Sequence, residues 1–195
     1  CTNNKKIYET VRILRGHGML RESGNKLFEK KIIKKNKMLS PKFIFLYPGF
    51  NMRNNEISAI IGINQLKRLD KNNKKRQDNL KTFLEHIDYT KFKNDFDTKG
   101  SCNYAFPLIL KRKSFTLRNR LENHLEKNGI EFRRGNAGGG NQLRQPYLQK
   151  FIKKISLKNF PNVEHIHHFG YYIGNYPSLT KKRIIQLCNI INKLK

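Results

Sequence analysis

The 195-residue sequence predicts a mixed α/β chain in which a long helix leads into a compact α+β unit. Three observations predict it. Apolar residues keep a helical period between Ile57 and Leu84, a strand, helix, strand and closing helix follow after residue 100, and glycine or proline stands where several segments stop. The length suits one ordinary domain with a real core, or a small domain plus a piece of a larger one. Hydrophobic residues at 37%, with many Ile, Leu and Phe, suffice for that core.

Ile7, Val11 and Leu14, spaced by four and three, predict a helix over residues 5–15 with that apolar face inward, ended by Gly16 and Gly18. Residues 22–41 are basic and weakly patterned, which predicts a loop with a short strand at Lys30 to Ile33. Phe43 to Tyr47 reads as a strand stopped by Pro48 and Gly49. From about Asn54, the residues Ile57, Ile60, Ile61, Leu66 and Leu69 keep a helical period that Leu80, Phe83 and Leu84 resume. The polar stretch Lys71 to Gln77 between them predicts a bend or a span through open solvent, and the helix as a whole is expected to connect two domains. Cys102 to Leu110 then reads as a strand, Phe115 to Lys127 as a helix closed by Asn128 and Gly129, and Ile130 to Arg133 as a second strand. Thr180 is placed to cap the closing helix, which runs to Leu194.

A formal charge of +27 ordinarily suggests a polyanion partner. Here the lysines are scattered along the whole length beside equally heavy use of Asn and Ile, as codon choice in an A/T-rich genome produces. No zinc spacing, basic zipper or aromatic-interleaved segment accompanies the charge, so a nucleic-acid partner is not expected. Cys1, Cys102 and Cys188 stand far apart without Cys-x-x-Cys spacing, which gives no disulfide framework and points to a reducing cytoplasm. No apolar run approaches the roughly 20 residues of a membrane span, and no signal-peptide core is present. Opening on Cys1-Thr-Asn-Asn without a methionine, the chain reads as a piece of something longer.

Three segments join glycine to polar and aromatic groups where an element stops, the usual place for function. In Arg15-Gly-His-Gly-Met-Leu-Arg21 the glycines permit close backbone approach, and His17 and Arg21 offer an imidazole and a guanidinium to an anionic or sugar ligand. The plain alternative is a helix end with a cationic last turn. In Tyr47-Pro-Gly-Phe-Asn-Met-Arg-Asn-Asn-Glu56 either Asn51 or Asn54 suits an N-cap, and the same helix start suits a phosphate. In Arg133-Arg-Gly-Asn-Ala-Gly-Gly-Gly-Asn-Gln-Leu-Arg-Gln-Pro146 the glycine run suits a loop folded over an anionic ligand, or a flexible surface loop. His165 and His168 share a helical face without a further ligand, so no metal is expected. Nucleophile-elbow, Walker and paired-carboxylate patterns do not occur.

Read in order, these segments resemble the DegT/DnrJ/StrS family of pyridoxal-phosphate enzymes. Cys1-Thr-Asn-Asn-Lys with Leu14-Arg-Gly-His-Gly resembles the stretch just after the cofactor-anchoring residue, and Gly49-Phe-Asn-Met-Arg-x-x-Glu56 with Ala59-Ile-Ile-Gly-Ile-Asn-Gln-Leu-Lys-Arg-Leu-Asp70 resembles the family's most recognisable helix entry. Asn128-Gly-Ile-Glu-Phe-Arg133 resembles the small-domain strand before the substrate loop, and Leu179-Thr through Ile191 resembles the closing helix. His17-Gly-Met-Leu-Arg-Glu22, Gly140-Asn-Gln-Leu-Arg-Gln-Pro146 and Phe169-Gly-Tyr-Tyr-Ile-Gly-Asn175 look like the 4-keto-6-deoxysugar 3-dehydratase branch. In that branch a histidine replaces the cofactor-binding lysine, and the position lies upstream of Cys1.

The resemblance implies the C-terminal part of a fold-type I pyridoxal-phosphate enzyme. Residues 1–70 would be a remnant of the large cofactor-binding domain with its interface loops, and residues 71–195 the interdomain helix and small α+β domain. It implies a cytoplasmic homodimer acting on a nucleotide-linked 4-ketosugar, with an amino donor such as glutamate, in surface-polysaccharide synthesis. Asn51 matches the asparagine that reaches the cofactor phosphate across the interface. His17, as a catalytic group, and Arg21, as a substrate contact, match the loop bordering the neighbour's site, and Glu131 and Arg144 flank the glycine loop as further substrate contacts. Because the anchoring residue lies upstream, the piece alone is not expected to catalyse. The rival reading from another class is a non-catalytic basic binding module that keeps the fold.

Overall fold

The computed structural model describes residues 2–52, 56–152 and 156–194. In chain order its helices are α1 (Lys5–Arg15), α2 (Lys26–Lys35), α3 (Glu56–Leu66), α4 (Leu69–His86), α5 (Phe115–Lys127), α6 (Pro146–Phe151), α7 (Pro161–Phe169) and α8 (Lys181–Asn192), and its strands are β1 (Ala105–Ile109), β2 (Arg133–Arg134) and β3 (Gly170–Gly174). The chain forms two compact units, Cys1–Glu56 with Gly135–His168, and Ile57–Arg134 with Phe169–Lys195.

In the first unit Asn4 caps α1 by accepting from the amides of Lys6 and Ile7. The helix spans the expected residues, but Ile7 and Val11 stay exposed and Ile13 is the side chain it buries. Ile13 belongs to a cluster with Leu20, Leu39, Ile44 and Leu46. The expected loop and Lys30–Ile33 strand are replaced by α2. Asn25 caps it by accepting from the Phe28 amide, and buried Glu29 takes hydrogen bonds from Ser23 Oγ at 2.9 Å and Lys26 Nζ at 3.1 Å. Phe28 and Ile32, one turn apart, then face the cluster with Ile33. Residues 43–47 bury Ile44 and Leu46, yet only Phe45 forms a bridge, with Met19, so no strand ladder develops. Asn51 is paired with Gly16 upstream of α3 and is not its cap, while Asn54 and Cys1 lie outside the described residues.

The second unit begins with α3, whose Ile57, Ile60, Ile61, Ile63 and Leu66 are all exposed. The helical run breaks at Lys67 and Arg68, not in the polar stretch. Residues 71–77 stay helical within α4, where a Lys74–Asp78 ion pair at 3.2 Å lies along the surface. Further along, α4 buries Leu80 and Phe83. Phe83 stacks on Phe106 of β1 at 4.6 Å, in a core with Phe92, Leu108, Leu121, Leu125, Ile184 and Ile191.

The sheet is antiparallel in the order β1-β3-β2, with Phe106 opposite Ile173 and Arg133 opposite Tyr172. Its central strand, β3, has no counterpart in the expected elements. The second strand starts late because Ile130 donates its amide to Leu125 and so completes the α5 terminus with Gly129, whose φ is +66°. Ser114 and Thr180 cap α5 and α8 through the amides of Leu117 and Arg183, and Thr180 does so as expected. Buried Glu122 of α5 accepts from Tyr171 Oη at 2.7 Å and pairs with Arg134, tying the helix to two strands. No helix among the described residues is long and apolar enough to cross a membrane.

Asn175, after β3, is 2% exposed and joins three segments. Its Nδ2 donates to the carbonyls of Arg76 and Asn103 at 3.0 and 2.9 Å, and its Oδ1 accepts from Asn79 Nδ2 at 3.1 Å. Truncation takes a donor from the carbonyls of Arg76 and Asn103 and an acceptor from Asn79, which keeps only its bond to Tyr176 O. Asn175→Ala is expected to lower unfolding stability by about 3 kcal/mol, read as a lower urea midpoint at unchanged slope.

Candidate active site

The segment after α1 is pressed against residues 46–52. Gly18 donates to Ile13 O and accepts from Leu46, His17 donates to Phe50 O at 2.9 Å, Phe50 to Leu14 O at 2.8 Å, and Met52 to Arg15 O at 3.2 Å. A methyl group on Gly18 would sit 1.9 Å from Tyr47 O, and one on Gly49 would sit 2.3 Å from the Gly18 nitrogen. Only glycine allows this approach. Between Gly16 and Gly18 the backbone turns at His17, whose φ of +62° is the one positive value among described non-glycine residues. Such a conformation costs a non-glycine residue roughly 1–2 kcal/mol, and strain of this kind gathers at functional positions.

The same contact sets the expected residues. His17 and Asn51 are both exposed on adjoining backbone, since Asn51 bridges Gly16. Arg21, in the turn Leu20–Glu22, is exposed as well. Its Nη1 donates to Lys42 O at 3.3 Å and its guanidinium lies 5.5 Å from the Phe43 ring centre.

The glycine run is ordered. Gly138, Gly139 and Gly140 have φ of +74°, +113° and +61°. A Cβ on Gly139 would meet the Phe45 ring at 2.8 Å, and one on Gly140 would meet His167 Nδ1 at 2.3 Å. Gln145 is fully buried. Its Nε2 donates to Gly139 O at 2.8 Å and Phe43 O at 3.0 Å, while its Oε1 accepts from the Phe45 amide at 3.0 Å.

Beyond the glycines, Asn141 donates its amide to His167 Nδ1 at 3.0 Å and its Nδ2 to Glu164 Oε1 at 2.6 Å. Arg144 holds Glu164 through both carboxylate oxygens, Nε to Oε1 at 3.0 Å and Nη2 to Oε2 at 2.5 Å. This fork holds the Glu164 carboxyl down at about 2, with Asn141 acting in the same direction against burial. Burial, then the neighbouring His168, lowers the His167 pKa from its ordinary value. His165 is buried, and His168 lies 3.8 Å from Glu164.

His17, Arg21, Asn51 and Arg144 therefore belong to one unit. Glu131 belongs to the other, exposed at the edge of an open cavity of about 590 Å³ with Tyr104, Arg133, Tyr172 and Arg183. Gln145, Glu164 and His167 were not singled out by sequence as site residues. The only signals for them were the Gly140–Pro146 motif and the His165–His168 cluster, which drew attention for metal spacing.

Glu164 has a folded-state pKa below its unfolded one, so its contribution is full above about 4.5 and is lost as pH falls towards 2. Glu164→Gln leaves Arg144 half-buried beside a neutral amide. A loss of about 2 kcal/mol at neutral pH is expected, together with a flatter stability profile below pH 4.5, measured by urea unfolding across that range.

The sequence profile of the DegT/DnrJ/EryC1/StrS aminotransferase family matches residues 1–192. The GDP-4-keto-6-deoxy-D-mannose 3-dehydratase of Escherichia coli O55:H7 is 30% identical over 178 residues, 90% of this chain and 45% of that protein. The enzyme of the same name from Yersinia pseudotuberculosis is 31% identical over 201 residues, 98% of this chain and 48% of its own. A solved structure of the E. coli enzyme with bound hydrated PLP matches at a TM-score of 0.62 and 29% identity, covering 100% of this chain and 49% of that one. The chain thus spans about half the length of these relatives, and its fold is the one expected, that of the C-terminal part of a fold-type I pyridoxal-phosphate enzyme. It belongs to the DegT/DnrJ/EryC1/StrS aminotransferase family.

Proposed function

We propose that this chain is the C-terminal portion of a cytoplasmic pyridoxal-phosphate enzyme acting on a nucleotide-linked 4-keto-deoxysugar in surface-polysaccharide synthesis, by 3-dehydratase or aminotransferase chemistry. The observation that carries the reading is the glycine-tight crossing of Gly18 and Gly49, which fixes the backbone of His17 and Asn51 while leaving both side chains exposed. A neutral amide on a rigid support suits a phosphate without adding charge, so Asn51 fits the cofactor group of a neighbouring protomer. Bound pyridoxal phosphate would supply the electron sink.

This chain's residues then bind, orient and move protons. Arg21, steadied by Lys42 O and the Phe43 ring, pairs with a diphosphate oxygen of the substrate. His17, its backbone fixed between Gly16 and Gly18, orients the sugar or carries a proton through its exposed imidazole. Arg144 and Glu131 complete the substrate contacts, with Arg144 held in place by Glu164. Residues 1–70 form the remnant of the large domain and 71–195 the interdomain helix and small domain. In the homodimer glutamate serves as amino donor. The anchoring residue lies upstream of Cys1, so these 195 residues alone do not catalyse, and lysine or histidine at that position decides between transamination and 3-dehydration.

The exposure of α3 supports the reading. A helix apolar on every side is normally a buried one, and each large side chain gains roughly 1.5–3 kcal/mol on burial. The isolated chain is therefore expected to self-associate. Replacing Ile60 and Ile63 by Lys should return it to a monomer in sedimentation experiments, and a monomeric wild type would count against a covered α3.

The direct test is a pyridoxal-phosphate absorbance titration with the upstream half supplied in trans. A cofactor band is expected, and Asn51→Ala should weaken cofactor affinity about tenfold, the worth of one lost phosphate hydrogen bond. No band would overturn the enzyme reading, and salt-sensitive binding of generic DNA would favour the binding module instead.

A further inference from the structure

We infer that His167 and Gln145 are positioning residues of the proposed reaction, holding the Gly138–Gly140 turn and Arg144 after it in one geometry, and that protonation of His167 releases one of the two holds. The inference rests on the substrate-loop reading above, but the hold can be tested apart from it.

The imidazole's tautomer follows from its partners. A backbone N–H can only donate, so the Asn141 amide, 3.0 Å from Nδ1, requires a lone pair there. The ring proton then resides on Nε2, which points at Met38 O at 3.3 Å. His167 is thus the neutral Nε2–H form, bridging the residue after the glycines to the residue before Leu39. An imidazolium would carry a proton on each nitrogen and set donor against donor at Nδ1. The ring cannot retreat without opening the turn, because it stands where a Gly140 side chain would be.

The charged neighbours do not oppose this assignment. Glu164 favours a proton on His167, while Arg144, the adjacent His168 ring at 4.7 Å and burial disfavour it, and the net direction is downward. The imidazole therefore stays neutral near pH 7 and gains its proton only on acidification.

Gln145 is the second hold. Its three bonds satisfy two carbonyls and one amide that the buried Gly139–Phe45 contact takes from water. Gln145 follows Arg144 directly, so the guanidinium starts from a backbone that cannot drift. Both residues act through the turn, and neither is assigned contact with substrate.

Two measurements test the inference. Hydrogen exchange at the Asn141 amide of the 195-residue chain, corrected for intrinsic rate, is expected to quicken at least about tenfold between about pH 7.5 and about pH 4.5, well below the ordinary imidazole range, as one hydrogen bond is lost. His167→Asn, which offers Oδ1 in place of Nδ1 and does not titrate in this range, should remain protected at both values, and His167→Phe should exchange fast at both. In the enzyme reconstituted with its upstream half, His167→Phe and Gln145→Glu should raise KM for the nucleotide sugar about tenfold with kcat within about twofold, while His167→Asn behaves as wild type.

Gln145→Glu keeps the acceptor and loses both donated bonds, so the two variants perturb different holds. Equal wild-type protection at both pH values would overturn the His167 hold. Fast exchange in His167→Phe with unchanged KM would overturn the positioning role. A reconstituted wild type without activity would count against the proposed function, and the exchange series would still decide the hold.

Discussion

The close approach of Gly18 to Tyr47 and Gly49 is the constraint on which the first unit is built. With backbones this near, the amides and carbonyls of residues 14–18 and 46–52 satisfy one another, so a segment without a strand ladder still leaves few polar groups stranded. The same approach lets Ile13 and Leu20 meet Ile44 and Leu46 in one cluster. Each of these side chains gains roughly 1.5–3 kcal/mol on burial, enough to offset the left-handed backbone imposed on His17. Strain at His17 and exposure at Asn51 are thus two results of a single packing decision.

The glycine loop is held by different physics. Around Gly138–Gly140 the buried groups are polar, and Gln145, Asn141, Glu164 and His167 are joined to each other or to backbone. In a setting of low dielectric such a network is rigid when complete and costly when broken. Consecutive glycines usually signal looseness. Here Gly139 and Gly140 are needed because Phe45 and His167 occupy the space that their side chains would fill, while Gly138, with open space around it, is needed for its φ of +74°.

The sequence was legible where local chemistry decides structure. Helices α1, α5 and α8 lie almost where their apolar period and caps place them, because a cap and its amide are neighbours in the chain. It failed where distant partners decide. Helix α2 follows from Asn25 and from Phe28 and Ile32 meeting a cluster built elsewhere, and β3 is a strand because β1 and β2 pair with it from both sides. Even in α1 the buried face is set by Leu20 and Ile44, which is why Ile13 and not Ile7 points inward. At the candidate site, His17 and Asn51 were marked in the sequence by the glycines beside them. Gln145 was not, since its partners Phe43 and Phe45 stand about a hundred residues away and nothing in its own neighbourhood announces burial.

Charge and apolarity, read together, locate the surface that does not behave as surface. The chain carries 41 lysines and arginines, spread so evenly that nucleotide bias accounts for them. Such a bias deposits lysine wherever solvent tolerates it. From Ile57 to Leu66 there is no charged residue at all, although every large side chain there is exposed. A helix facing only water would have accumulated lysine like the rest, and α4 immediately after it has done so. The gap in the bias thus records a restriction on α3 that its own exposure does not explain, and under the proposed function that restriction is burial against the remainder of the enzyme.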